Sequence, residues 1–293
     1  MLALRNAHTL RTAVRPSSNL LSSLRLLTTS SSLREEAALN RAERLKSRFW
    51  KTVTLQPPSS SSSTSSSSSS PSAEGFQILL DNRAIRTPSG QPIIIPCERE
   101  LLATCIAQEW SEQDQVLKPH TLPLTSLAAR ALEGCKDPAE RQGIEGDLLR
   151  YLENETICFQ EPQPSSLVKL QKAHWEPLLS HINNTYSLSI TPFTGLLGGT
   201  HPPGTLSTFT TYLSKLDPFD LAAFERSVML TKSFLISVAL VSGHLDVEQA
   251  AKAAEVEVQS QIDRWGAVED SHDVDQAEMR RTLGSVAIAT VRN

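Results

Sequence analysis

The sequence is poor in the features that usually announce chemistry. Its four cysteines, at 97, 105, 135 and 158, form no CxxC pair and no zinc-ligand spacing, so they read as small hydrophobes of a reducing compartment. The best apolar run, Phe234 to Val241, is far shorter than the roughly 18 residues a membrane helix needs. There is no excess of basic charge: 28 Lys and Arg stand against 32 Asp and Glu, a formal net of −4, which argues against a constitutive nucleic-acid binder. GxxxxGK(S/T), GxGxxG, HExxH and GxSxG are all missing, and with them the usual anchors for phosphate, dinucleotide, zinc-protease and serine-hydrolase chemistry. Gly195 to Gly199 is glycine-rich, but no Lys follows and no helix starts directly behind it, so it reads as a plain loop. His120, His174, His181, His201 and His244 are isolated and read as surface or packing residues.

One further absence carries information. From Met1 to Arg34 there is no Asp or Glu, while five arginines (5, 11, 15, 25 and 34) stand among Ser, Thr and scattered Leu. That composition predicts a mitochondrial presequence over residues 1–34, a basic amphipathic segment drawn inward by the membrane potential. A secretory signal fits poorly, since no unbroken apolar stretch follows the basic start. Without this segment the chain has 23 bases against 32 acids, a net of −9, and the expected location is the mitochondrial matrix.

What is present predicts an α+β fold. A small N-terminal antiparallel sheet with one helix is expected over 48–117, and an all-α orthogonal helical bundle over 118–293. Strands are expected over 49–55, 75–80, 83–87 and 93–95, from alternating or β-branched runs bounded by Asp81-Asn82 and Pro88 to Gln91 turns. Ser59 to Ser70, all serine except Thr64, has nothing to bury, so residues 57–72 are expected to be a disordered loop. Leu101, Leu102, Cys105, Ile106 and Trp110 give the stretch 98–113 the spacing of an amphipathic helix laid on that sheet. Beyond Lys118 helices are expected from Pro123 to near Gly134, 138–152, 167–183, 205–216, from Pro218 to Gly243, 246–265 and 275–291. Thr156 to Phe159 is expected to be one short extended piece. Asp137-Pro138 and Asp217-Pro218 are the cap-and-proline signals that open two of these helices.

The stretch from Asp246 to Trp265 is the most informative. At 100° per residue Val247, Ala250, Ala251, Ala254, Val258, Ile262 and Trp265 fall on one stripe. Glu257, Gln261 and Arg264 line one edge of it, three and four residues apart. Two readings stand side by side: a polar anchor for a partner, or an internal network supporting the bundle. Glu269, Asp270, His272, Asp273 and Asp275 form the densest polar cluster. It reads as a solvated turn with helix caps; the alternative is a divalent-cation site, which would make the chain a metal-binding protein or a matrix enzyme. From Asp246 to Arg281 ten acids face four bases, so this end presents negative potential.

Arg48-Phe49-Trp50-Lys51, Leu79-Leu80-Asp81-Asn82-Arg83 and Arg86-Thr87-Pro88 resemble the start of the alpha-subunit assembly factors of the mitochondrial ATP synthase. The resemblance continues through Glu109-Trp110, Pro123-Leu124-Thr125 and Asp217-Pro218-Phe219. It is sharpest in Gln261-Ile262-Asp263-Arg264-Trp265-Gly266, with Val268-Glu269 and His272-Asp273 behind it. It implies a chaperone, not an enzyme, without cofactor or metal, that binds the unassembled alpha subunit of the catalytic head and hands it on to beta. It implies Glu257 as an acidic position that matters for function. The partner-binding residues expected on this basis are Glu257, Gln261, Arg264, Glu269 and Asp273. Trp110 and Trp265, large aromatics at amphipathic spacing, are expected in the core, holding the domains together and not meeting the partner.

Overall fold

Gly75–Leu80 (β2) is the strand about which the sheet is organised. It pairs antiparallel with Val53–Gln56 (β1) on one side, and with Arg83–Ala84 (β3) and Ile94–Pro96 (β4) on the other. The computed structural model describes residues 47–58, 75–193 and 199–293. The expected presequence, the serine tract and residues 195–198 of the glycine-rich loop lie outside the described residues. Asp81, left-handed at φ 55°, makes the β2–β3 turn, and its Oδ1 accepts from Lys51 N at 3.1 Å and Thr52 N at 3.0 Å. That clasp starts β1 at Val53, later than the expected 49, because the two preceding amides point at a carboxylate and not at a strand. Alternation in β2 places Phe76, Ile78 and Leu80 inward, against Ile93, Ile95, Leu102 and Ile106. The last two belong to Glu100–Ser111 (α1), which lies across the sheet and buries Leu102, Ala103 and Ile106.

The remaining helices form the bundle. They are Pro123–Arg130 (α2), continued by one π-turn to Cys135, then Pro138–Glu153 (α3), Ser165–Tyr186 (α4) and Thr205–Lys215 (α5). Pro218–Thr231 (α6), Phe234–Val241 (α7), Val247–Ala254 (α8), Val256–Trp265 (α9) and His272–Thr290 (α10) complete it. Starts follow the local chemistry: Asp137 accepts from Ala139 N and Glu140 N, Asp217 from Phe219 N and Asp220 N, and Asp246 closes a capping box with Gln249.

Three expectations need correction. The helix expected from Pro218 to Gly243 is two, because Lys232 takes the left-handed conformation at φ 58° and the Ser233 side chain caps a new helix at Ile236 N. The helix expected over 246–265 is also two, broken at Glu255 (φ −93°, ψ 7°). Thr156–Cys158 is a 3₁₀ turn and not an extended piece; the extended residue is Phe159, which bridges Phe193.

Among the described residues, those from Phe49 to Gln113 and from Lys118 to Asn293 form one compact unit, and Ser47 and Arg48 with Asp114–Leu117 a second, in which Arg48 N donates to Gln115 O at 2.8 Å. Within the larger unit one side chain ties the sheet end to the bundle. Arg99, fully buried, reaches Asp220 Oδ1 at 2.8 Å, Asp217 Oδ2 at 2.5 Å and the Ala289 carbonyl. Arg292 joins the same two aspartates, so two guanidiniums meet two carboxylates in a compensated cluster. Near α1, the Glu109 carboxylate caps α2, accepting from Leu124 N at 2.7 Å and from Thr125 N at 3.0 Å. Trp110 Nε1 donates to Thr125 Oγ1 at 3.0 Å, and the half-buried ring lies 5.1 Å from that of Trp50. Glu109-Trp110 and Pro123-Leu124-Thr125, separate in sequence, are thus the two halves of one clasp.

Candidate functional site

The break at Glu255 decides what the last third of the chain presents to solvent. Arg280 of α10 holds both carboxylates around it: Nε and Nη2 reach Glu248 at 2.8 and 3.1 Å, and Nη1 reaches Glu255 at 3.3 Å. The fork geometry fixes α8 and the break against α10. Burial pushes the Glu255 carboxyl above its usual range, and the Arg280 charge opposes that rise.

After the break the apolar stripe no longer faces inward. In α8 it does so, with Ala250 and Ala251 fully buried. In α9 the buried residues are Val256 and Ser260, and Ser260 Oγ meets Ser166 Oγ of α4 at 3.2 Å. Of the stripe residues, Val258 and Trp265 turn outward, 40% and 70% exposed, while Ile262 is half-buried. Trp265 is therefore not a core residue. A straight helix would have carried the buried face of α8 on to it; the break rotates that face into solvent.

Glu257, Gln261 and Arg264 are exposed on α9, and among the described residues no hydrogen bond or ion pair joins them. The Arg264 guanidinium instead lies over the Trp265 ring, 5.0 Å from its centroid. Past Gly266, at φ 87°, the chain turns through Val268, 60% exposed, into α10, where Val274 is 57% exposed. Glu269 and Asp273 are exposed here. Asp273 and Asp275 stand in the first turn of α10, where carboxylates complement the helix dipole. His272 Nδ1 accepts from Val268 N at 3.0 Å, closing the turn. Among the described residues no group of three or more His, Cys, Asp or Glu side chains comes together to hold a metal ion.

From α9 through the turn into α10 the chain exposes the apolar side chains Val258, Trp265, Val268 and Val274, interspersed in sequence with exposed Glu257, Gln261, Arg264, Glu269 and Asp273. An apolar strip with a polar rim can cover apolar surface on another macromolecule. The valines at 258, 268 and 274 escaped the sequence reading as contact residues. Val258 lies on a stripe that reads as buried, and the other two sit in a segment whose charges draw the eye.

In architecture this is a two-part α+β protein, a four-stranded sheet with one helix across it leading into a helical bundle. That architecture is shared with the crystal structure of Atp12 from Paracoccus denitrificans, at 25% identity and a TM-score of 0.68 over 85% of this chain and 97% of that one. The Atu1473 protein of Agrobacterium tumefaciens matches at 26% identity and a TM-score of 0.70, over 84% of this chain and 85% of that one. A family model described as ATP12 chaperone protein matches residues 47–183. The mitochondrial protein atp12 of Schizosaccharomyces pombe is 34% identical over 219 residues, 72% of this chain and 75% of the relative. The mitochondrial protein ATP12 of Saccharomyces cerevisiae is 29% identical over 293 residues, 86% of each. The chain belongs to the ATP12 chaperone family.

Proposed function

We propose that this chain is an assembly chaperone for the alpha subunit of the mitochondrial ATP synthase catalytic head, acting in the matrix behind a presequence at residues 1–34. It holds the unassembled subunit against aggregation and releases it to beta. The observation that carries the reading is the outward-turned stripe of α9: Trp265 stands 70% exposed under the Arg264 guanidinium, among exposed carboxylates. A subunit awaiting its ring neighbours exposes apolar interface that must be covered reversibly, and a strip edged with polar groups suits that task better than a sealed apolar pocket. Glu257 and Arg264, with Glu269 and Asp273 behind them, set orientation by charge and Gln261 by hydrogen bonding, while the apolar residues supply buried area. A chaperone of this kind needs no nucleotide, metal or catalytic group of its own. The domain limits that go with this reading are 48–117 and 118–293.

Capture of newly imported alpha and beta subunits, each offered separately to the immobilised chain, tests it. Retention of free alpha, with neither free beta nor the assembled enzyme held, is the expected result. Glu257→Lys reverses the charge of the strip edge without touching the buried side of α9, and it lowers alpha capture about tenfold or more. Equal capture of alpha and beta overturns the alpha assignment, and undiminished capture by Glu257→Lys overturns the role of α9.

A further inference from the structure

A second surface, on the sheet side of the same compact unit, has a different chemistry. The end of β2, the strand β3 and the start of the segment after it enclose a groove of about 570 Å³ with α1. Its floor is Leu80 and Ile85, its walls are Trp110 and the 67% exposed Phe49, and its rim carries Arg83 and Arg86. No Asp or Glu lines it. Among the described residues neither arginine has a carboxylate within ion-pair distance, although Arg86 Nη1 donates to Gly90 O at 2.7 Å. Three arginines elsewhere are answered by acids: Arg99 by Asp217 and Asp220, Arg130 by Glu225, Arg280 by Glu248 and Glu255. A chain with more acids than bases thus leaves two arginines lining one apolar groove with no acid among its lining residues, next to an aromatic ring standing out in solvent.

We infer that this groove docks a peptide segment of the client protein that presents a carboxylate close to a large aliphatic or aromatic side chain. The apolar side chain fills the space over Leu80 and Ile85 between Phe49 and Trp110, and the carboxylate completes the charge of Arg83 and Arg86. Guanidinium forks suit a carboxylate, and a ring beside them excludes water from the pair. The family-model match over residues 47–183 contains every residue of this groove and none of α9, so the part of the chain that the match covers carries a binding surface of its own. The inference assumes a protein client, as the reading above does, but not that the client is the alpha subunit.

Selection of random 12-residue peptides displayed on phage, against the immobilised full chain, tests it without presuming the client. Enrichment of Asp or Glu within four positions of Leu, Ile, Phe or Trp is expected, together with about tenfold weaker binding of the best synthetic peptide to Arg83→Glu. Glu257→Lys, on the far α9 strip, leaves that peptide bound as tightly as before. The Arg83 side chain is exposed and, among the described residues, donates no hydrogen bond, so its reversal leaves the fold intact; an unchanged melting curve checks this. No enrichment, enrichment without an acidic preference, or equal binding to Arg83→Glu overturns the inference. So does loss of the peptide to anionic lipid vesicles in competition, which would make the arginines a lipid contact. Because these readouts do not involve alpha, they fail or succeed independently of the alpha-capture experiment.

Discussion

Trp265 separates two meanings of a large aromatic on an amphipathic helix. Its spacing from Val258 and Ile262 is that of a core residue, yet it stands in solvent because the chain breaks ten residues earlier at Glu255. The consequence is measurable. Trp265→Ala changes the free energy of unfolding by no more than about 0.5 kcal/mol, as surface substitutions do, while it lowers client capture. A loss of several kcal/mol in denaturant melts would return Trp265 to the core. Arg99 behaves oppositely. It is fully buried, its guanidinium answers Asp217 and Asp220, and it stacks over Phe219 at 5.4 Å. Arg99→Met leaves Asp220 in the interior with only Arg292 to face it, and costs on the order of 3–5 kcal/mol. Urea unfolding followed by circular dichroism checks this. Nothing in the sequence around Arg99 distinguishes it from a solvated arginine, since its partners lie 118 and 121 positions away.

Among the elements, α7 depends on a carboxylate from another part of the chain. Glu155, wholly buried, accepts from Phe234 N at 2.8 Å, Leu235 N at 3.1 Å and the Ser233 hydroxyl at the start of α7. Burial pushes its carboxyl up to about 7, against the lowering pull of those donors. A raised carboxyl binds its proton more tightly folded than unfolded. Stability is therefore full below the ordinary 4.5 and falls as pH rises from there to about 7, by on the order of 3 kcal/mol. Glu155→Gln keeps the acceptor for the two amides and cannot ionise, so its melting temperature falls less than that of the wild type across that window. A wild-type profile as flat as that of the variant would refute the account. Much at this scale was legible in advance, because it is local: Asp137, Asp217 and Asp246 open the helices that their neighbours predict. The breaks at Lys232 and Glu255 were not. Both interrupt patterns that remain helical on either side, and each is stabilised from a distance, Glu155 reaching the cap of α7 and Arg280 the turn before α9.

At the scale of the whole molecule, sequence reading suggests a seam near residue 117, where strand signals give way to helical ones. The seam in composition is crossed in space by Arg99 to Asp217 and Asp220, by Glu109 to the start of α2, and by Asn293 N to Glu98 O at 2.9 Å. Such links, a buried ion pair, a capping carboxylate and a backbone hydrogen bond, join residues far apart in sequence, so composition does not reveal them. Their effect is cooperativity: when the sheet and the bundle share buried ion pairs, neither can unfold without stranding charges in the other. Far-UV circular dichroism reports chiefly the helices, while the Trp50–Trp110 pair sits at the sheet and Trp175 in the bundle, its Nε1 donating to Ala253 O at 2.7 Å. The two signals are expected to give the same urea midpoint within error. Arg99→Met, by cutting the central link, should pull them apart, with the sheet-side fluorescence change coming first. Separate midpoints in the wild-type chain would instead make 48–117 and 118–293 independently folding domains, and would reduce the Arg99 cluster to a contact between them.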